Sequence, residues 1–152
     1  MTYFNKSSMK ITLEEATKEF NILQGGIQKL LYKLGDDAEN IESDSNDLDS
    51  EFLQSEYRSM FDKLEDVYYR LEYLKKPVID EGLLTKNIRD RYELPSGLEF
   101  SSGYPCEILY FNPSYNEEYW VYTSIEHNGE DYYATALGRE LSINGLRVRV
   151  RK

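Results

Sequence analysis

The chain has one cysteine, Cys106, and one histidine, His127, among 152 residues, and this scarcity removes whole classes of chemistry. One thiol excludes an intramolecular disulfide and fits a reducing, cytoplasmic setting. One thiol and one imidazole do not by themselves make a zinc site. No apolar run is long enough to span a bilayer, so no membrane partner is expected. The stretch from Met1 to Lys10 is polar and lacks the apolar core of a secretory signal, so a cytoplasmic location is expected. A phosphate-cradling loop is also missing, because Gly25-Gly26 is not followed by Gly-Lys-Ser/Thr. Positive charge is absent from one long internal stretch. Between Lys33 and Arg58 there is no Lys or Arg, while nine acidic residues fall there.

Negative charge and tyrosine are abundant. Asp and Glu total 28 against 18 Lys and Arg, a net charge of −10. Residues 1–76 carry −6 of it and residues 77–152 the remaining −4. Bulk attraction to a phosphate backbone is therefore disfavoured in both halves, and direct binding of duplex DNA is not expected. An acidic surface suits solubility, or a partner protein whose own site is basic. The 14 tyrosines fill a small core while keeping a hydroxyl at the surface, and they favour contact surfaces.

Hydrophobic periodicity divides the chain near Pro77. Leu13, Ala16, Phe20, Leu23, Ile27, Leu30 and Leu34 follow one another at alternating steps of three and four. So do Leu53, Tyr57, Met60, Leu64, Val67, Leu71 and Leu74. Such alternation keeps one stripe of a helix facing a partner helix. Residues 1–11 read as a flexible lead. Thr12 and Glu15 then form a capping box, and a helix is expected from about Leu13 to Leu34, stopped by Gly35. Gly25 and Gly26 inside it cost about 1 kcal/mol each against Ala. They mark a weak point or bend, or a close approach of the second helix. Residues 35–47 read as an acidic loop, ordered or not. The second helix is expected from near Asp47 to Lys76, because Pro77 disfavours helical geometry before it. Phe52, Phe61 and Tyr68 widen its stripe towards a second buried edge, on the C-terminal half or on another subunit. The expected unit over 12–76 is an antiparallel, coiled-coil-like hairpin, whose helices pair within one chain or between two.

After Pro77 the period becomes two. Strands are expected at Val78–Leu84, Arg91–Leu94, Cys106–Phe111, Tyr119–His127, Asp131–Leu137 and Leu146–Arg151. Asn128-Gly129 between two of them is the strongest hairpin signal. The fold class is α+β: the hairpin, then over 77–152 a small antiparallel β-barrel or half-barrel of SH3-like size. In the last strand Leu146, Val148 and Val150 face inward, and Arg147, Arg149 and Arg151 share the outer face.

From Leu74 onward the sequence resembles a known family. The carriers are Leu-Lys-Lys-Pro-Val-Ile-Asp-Glu-Gly-Leu-Leu, Arg-Tyr-Glu-Leu, Ser-Ser-Gly-Tyr-Pro-Cys-Glu-Ile, Trp120, Ile125-Glu126-His127, Asp131-Tyr132-Tyr133 and the closing Gly-Leu-Arg-Val-Arg-Val. The family is a domain of unknown function in small proteins of Gram-positive bacteria, often carried on plasmids and prophages. Similar members begin with a helical hairpin, so the likeness covers about two thirds of the chain. It implies a small accessory protein of a mobile element, and it brings no catalytic residues.

No catalytic, cofactor-binding or metal-binding constellation stands out. His127 lacks a nucleophile and an orienting partner in any recognisable pattern, and a hairpin-edge position accounts for it. Cys106, among strand residues, reads as a small core side chain. The acidic connector offers oxygen ligands but lacks the central Gly and closing Glu of a calcium loop. The leading expectation is an acidic, non-enzymatic inhibitor that binds a host protein with a basic nucleic-acid-binding surface, such as a CRISPR or restriction nuclease. Its mimicry would rest on Glu14, Glu15, Glu19, Asp36, Asp37, Glu39, Glu42, Asp44, Asp47, Asp49 and Glu51, laid along a rod about 30–40 Å long. The alternative is a small adaptor, dimeric through the hairpin. Its β half would bind a peptide or single-stranded nucleic acid through Arg147, Arg149, Arg151 and Lys152.

Overall fold

Thr12 opens the first helix by a two-way exchange with Glu15. The Thr12 hydroxyl accepts from the Glu15 N–H at 3.1 Å, and the Glu15 carboxylate accepts from the Thr12 N–H at 2.8 Å. This is a computed structural model, and it describes residues 9–152; the expected lead lies outside the described residues as far as residue 8. The chain divides into two units after Lys75.

In the first unit, α1 (Leu13–Leu34) runs unbroken through Gly25-Gly26. A Cβ at either glycine would meet nothing within 4 Å, so the pair does not serve a close approach of the second helix. Gly35, at φ +78°, ends α1, and its N–H donates to the Leu31 carbonyl at 3.1 Å. That φ favours glycine, and a Cβ there would sit 2.7 Å from the Asn40 side-chain amide, which would have to shift. The connector makes a short 3₁₀ turn at Asp36–Ala38 and then leads into α2 (Leu48–Lys75).

The apolar stripes do not bury one another as the heptads alone suggest. Gln24 and Ile27 of α1 and Phe61 and Tyr73 of α2 are buried, with Ala38 of the connector. Gln24 sets the pairing by donating its amide to the Glu72 carboxylate and, at 3.5 Å, to the Tyr68 carbonyl. Phe20, Leu23, Leu30, Leu53, Tyr57, Met60, Val67 and Leu74 remain 40–51% exposed. The apolar band on each helix is wider than a single neighbour can cover. The two stripes therefore lie side by side on one open face.

The second unit is an antiparallel sheet of β1 (Val78–Leu83), β4 (Tyr104–Asn112), β5 (Glu117–His127), β6 (Tyr132–Ala134) and β7 (Arg147–Arg151). A two-stranded ribbon of β2 (Thr85–Lys86) and β3 (Tyr92–Glu93) accompanies it. The five-strand order is β1-β7-β4-β5-β6. The expected hairpin across Asn128-Gly129 is present, pairing His127 with Tyr132 and Ile125 with Ala134. Of the expected barrel or half-barrel, a closed barrel is not present. β1 and β6 are the two edges and do not pair with each other, so the sheet stays open. The physical reason is that the inner face is already roofed. Leu84, Tyr92, Leu94 and Phe100 come from the ribbon and its flanks, and they cluster with Ile143 on Cys106, Ile108, Ile125, Ala134, Val148 and Val150. A core closed this way needs no further curling of the sheet. The expected strand at Arg91–Leu94 shrinks to β3, and β2 was not foreseen.

Candidate interaction surfaces

The acidic connector is held in one conformation by its own polar groups. The Asn40 N–H donates to the Leu34 carbonyl at 2.9 Å and its side-chain amide to the Lys33 carbonyl at 3.2 Å. Gln54 of α2 donates to the Ile41 carbonyl at 2.7 Å, and the Ser50 hydroxyl accepts from the Asp44 N–H at 3.0 Å. The Asp44 carboxylate accepts from the Asn46 N–H, and the Asp47 carboxylate accepts from the Asp49 N–H in the first turn of α2. Asp36, Asp37, Glu39, Glu42, Asp44, Asp47, Asp49 and Glu51 are all exposed. Among the described residues, none of these eight carboxylates pairs with a Lys or Arg. Unneutralised carboxylates this dense give a strongly negative local potential.

Glu14, Glu15 and Glu19 do not join that group. They sit towards the far end of α1, about 20–30 Å from the connector at 1.5 Å per residue. Glu14 pairs with Lys18 at 3.3 Å, Glu15 is consumed by the capping box, and Glu19 borders a shallow depression beside Phe20 and Leu23. Beside the connector, however, lies a groove that the sequence did not suggest. It has a volume of about 440 Å³ and is lined by Asp36, Glu39, Glu65, Tyr32, Tyr68 and Tyr69, among others. Tyr68 and Tyr69 meet edge to face with ring centroids 5.4 Å apart. Carboxylates and aromatic rings together suit a Lys or Arg side chain, through ion pairing and cation–π contact. Only the spacing Asp36, Glu39 with Glu65, Tyr68, Tyr69 hinted at it, because antiparallel pairing brings the end of α1 beside the middle of α2.

On the second unit the arginine stripe faces outward as expected, with Val148 and Val150 fully buried behind it. Two carboxylates offset most of the charge of its three arginines. Strand pairing sets Glu107 of β4 opposite Arg149, and Glu107 is only 5% exposed. Its carboxylate accepts from Arg149 Nε at 3.0 Å and from Arg151 Nε at 3.0 Å. Arg151 also donates to the Lys76 carbonyl, and Arg149 lies over the Trp120 ring at 4.1 Å. Arg147 pairs with Glu81 at 3.1 Å. Of the four residues in the stripe, exposed Lys152 alone has no carboxylate partner among the described residues. Glu107 was missed in the sequence, although a lone acid inside Cys-Glu-Ile-Leu-Tyr-Phe opposite an alternating Arg run signals a buried ion pair.

Cys106 and His127 do not meet. Cys106 is fully buried on the inner face, and burial, with the Glu107 charge beside it, pushes its thiol up to about 12. His127 Nδ1 accepts from the Gly129 N–H at 3.0 Å, and the ring packs on Tyr132 at 4.7 Å, so it stabilises the hairpin turn. Two further charged clusters brace the ribbon. Burial disfavours the charged forms of Asp131 and Glu99. Lys86 and the Tyr132 N–H outweigh it at Asp131, and Arg91, Asn87 and Arg89 do so at Glu99, so both titrate below the ordinary carboxylate range. Among the described residues, no group of three or more His, Cys, Asp and Glu is placed to hold a metal ion. No helix among them is long and apolar enough to cross a membrane.

Residues 81–150, which begin within β1 and end within β7, match the family described as Domain of unknown function (DUF5348). The match does not extend into the helical unit. No curated protein and no solved structure matches the chain.

Proposed function

We propose that this chain is a non-enzymatic, cytoplasmic inhibitor carried by a mobile element of a Gram-positive bacterium. In this reading it binds a basic surface of a host nucleic-acid enzyme, in the manner of an anti-CRISPR or anti-restriction protein. The observation that supports it is the groove beside the connector, where the carboxylates of Asp36, Glu39 and Glu65, with no Lys or Arg partner among the described residues, meet Tyr32, Tyr68 and Tyr69. The exposed connector carboxylates extend the same negative field around it. A partner surface built for phosphates presents Arg and Lys at comparable density, and its arginines would enter the groove while its lysines answer the connector. In this reading the mimicry is confined to the connector end, and Glu14, Glu15 and Glu19, towards the other end of α1, take no part in it.

An arginine-rich peptide serves as the probe. Calorimetric titration should show binding that weakens steeply with salt, and duplex DNA in the same buffer should show none. Neutralising the groove by Asp36→Asn, Glu39→Gln and Glu65→Gln together should abolish peptide binding and, in a host strain, restore restriction of an incoming plasmid. Peptide binding or inhibition that survives the triple change would refute the reading. The adaptor alternative has less support, because Glu81 and Glu107 engage Arg147, Arg149 and Arg151 and offset two of their three positive charges.

A further inference from the structure

The open apolar face of the hairpin is a feature that the proposed function does not use. Two grooves run along it, and both are lined by stripe residues from both helices. One, of about 410 Å³, lies among Phe20, Val67, Leu71 and Leu74; the other, of about 440 Å³, lies among Leu30, Tyr57, Met60 and Leu64. We infer that a second copy of the chain covers this face. Two hairpins pack stripe to stripe and antiparallel, forming a four-helix bundle.

Three observations point to a copy of this chain rather than another partner. First, heptad steps in both helices are the pattern for helices packing on helices. A face made of two such stripes is complementary to itself under a two-fold axis. Second, the area fits. Eight stripe residues at 40–51% exposure amount to on the order of 800 Å² per copy, taking about 200 Å² for a large side chain. That is the share each partner contributes to a standard stable interface. Third, charge selects the orientation. The connector end carries the carboxylates between Lys33 and Arg58 with no Lys or Arg among them. The opposite end balances Glu14, Glu15, Glu19 and Glu72 with Lys10, Lys18, Lys75 and Lys76. Antiparallel pairing sets each acidic connector beside a balanced end, and parallel pairing would force the two connectors within a Debye length of each other. Gly26 sits three residues after Leu23 and four before Leu30, with nothing within 4 Å of its Cβ position, so a neighbouring helix can come close there.

Light scattering coupled to size exclusion of the full chain should give twice the 17.9 kDa chain mass, with a Kd of about 1 μM or tighter. Phe20→Lys and Met60→Lys each place an unpaired charge in the interface and should shift the mass to monomer with helix content retained. Tyr32→Lys, at a residue 91% exposed outside the stripes, should leave the dimer intact. A wild-type monomer at about 100 μM, well above the expected Kd, overturns the inference. Equal loss of dimer in Tyr32→Lys overturns it as well, as does an unchanged dimer in both stripe variants. A second measurement needs no interface variant. Spin labels on Ser45→Cys in the antiparallel bundle should lie about 30 Å apart or more, one helix length. A short distance, or no intermolecular distance at all, equally refutes it.

Discussion

Replacing Glu107 by Ala should destabilise the β unit by about 3 kcal/mol. The value follows from what the substitution leaves behind. Arg149 and Arg151 stand two residues apart on one face of β7, with side chains 23% and 19% exposed, and both direct guanidinium hydrogens at the Glu107 carboxylate. Removing one member of a buried ion pair costs about 3–5 kcal/mol, because the other charge is stranded. Here two like charges are stranded, but each retains some water and Arg149 keeps its stacking on Trp120, so the lower end applies. For a unit of this size, about 3 kcal/mol corresponds to a fall in Tm of about 12–24 °C. Trp120 is the only tryptophan and lies against Arg149, so its fluorescence during urea unfolding reports on this unit alone. Glu81→Ala is the comparison, since the Glu81–Arg147 pair is 41% and 45% exposed and should contribute less than about 1 kcal/mol. A Glu107→Ala loss no larger than that of Glu81→Ala would refute the reasoning.

Three other outcomes follow from particular positions. Gly25→Ala should stabilise the helical unit by about 0.5–1 kcal/mol, read by circular dichroism on urea unfolding, because the new methyl meets nothing and the helix gains propensity. Gly82→Ala should destabilise the sheet by about 1–3 kcal/mol, read by Trp120 fluorescence, because its Cβ would lie 2.6 Å from the Pro95 ring. Cys106 should resist thiol reagents until the β unit unfolds. Its folded pKa of about 12 lies above the unfolded value of about 8.5, so the folded state holds the proton longer. The stability contributed is complete below pH about 8.5 and falls as pH rises towards 12, which alkaline unfolding curves should show.

Local signals carried most of the secondary structure. Thr12 with Glu15, Gly35 and the residue before Pro77 marked the helix ends because caps act within a few residues. Alternation marked β4, β5 and β7 because side chains of a strand alternate between its faces. What the sequence left open depends on pairings far apart in the chain. Six strand-like runs do not say which strands become edges, so a barrel and an open sheet read alike until Phe100 and Ile143 are seen to roof the core. The heptads named the residues of each stripe but not the direction in which the stripes face, and that depends on Gln24 anchoring to Tyr68 and Glu72. The same limit applied to the surfaces. Charge counting identified the connector, whereas the Tyr32, Tyr68 and Tyr69 groove exists only once α1 and α2 are laid side by side. The arginine stripe looked like a free cationic edge because its counterion Glu107 lies 42 residues before Arg149, and the pairing of β4 with β7 that joins them is not a local signal.

The position of β7 in the sheet governs when the β unit can form. It is the last to be synthesised of the seven strands among the described residues, yet it lies between β1 and β4, hydrogen-bonded to both. Until it emerges from the ribosome, β1 has no neighbour, Glu107 has neither arginine, and the inner face lacks Val148 and Val150. The hairpin, by contrast, is complete some seventy residues earlier and draws on contacts of its own. Newly made chains therefore pass through an interval in which both helices are complete while the sheet is unfinished. Anything that shortens the chain within Arg147–Arg151 would leave the first strand detached rather than merely trimming an edge.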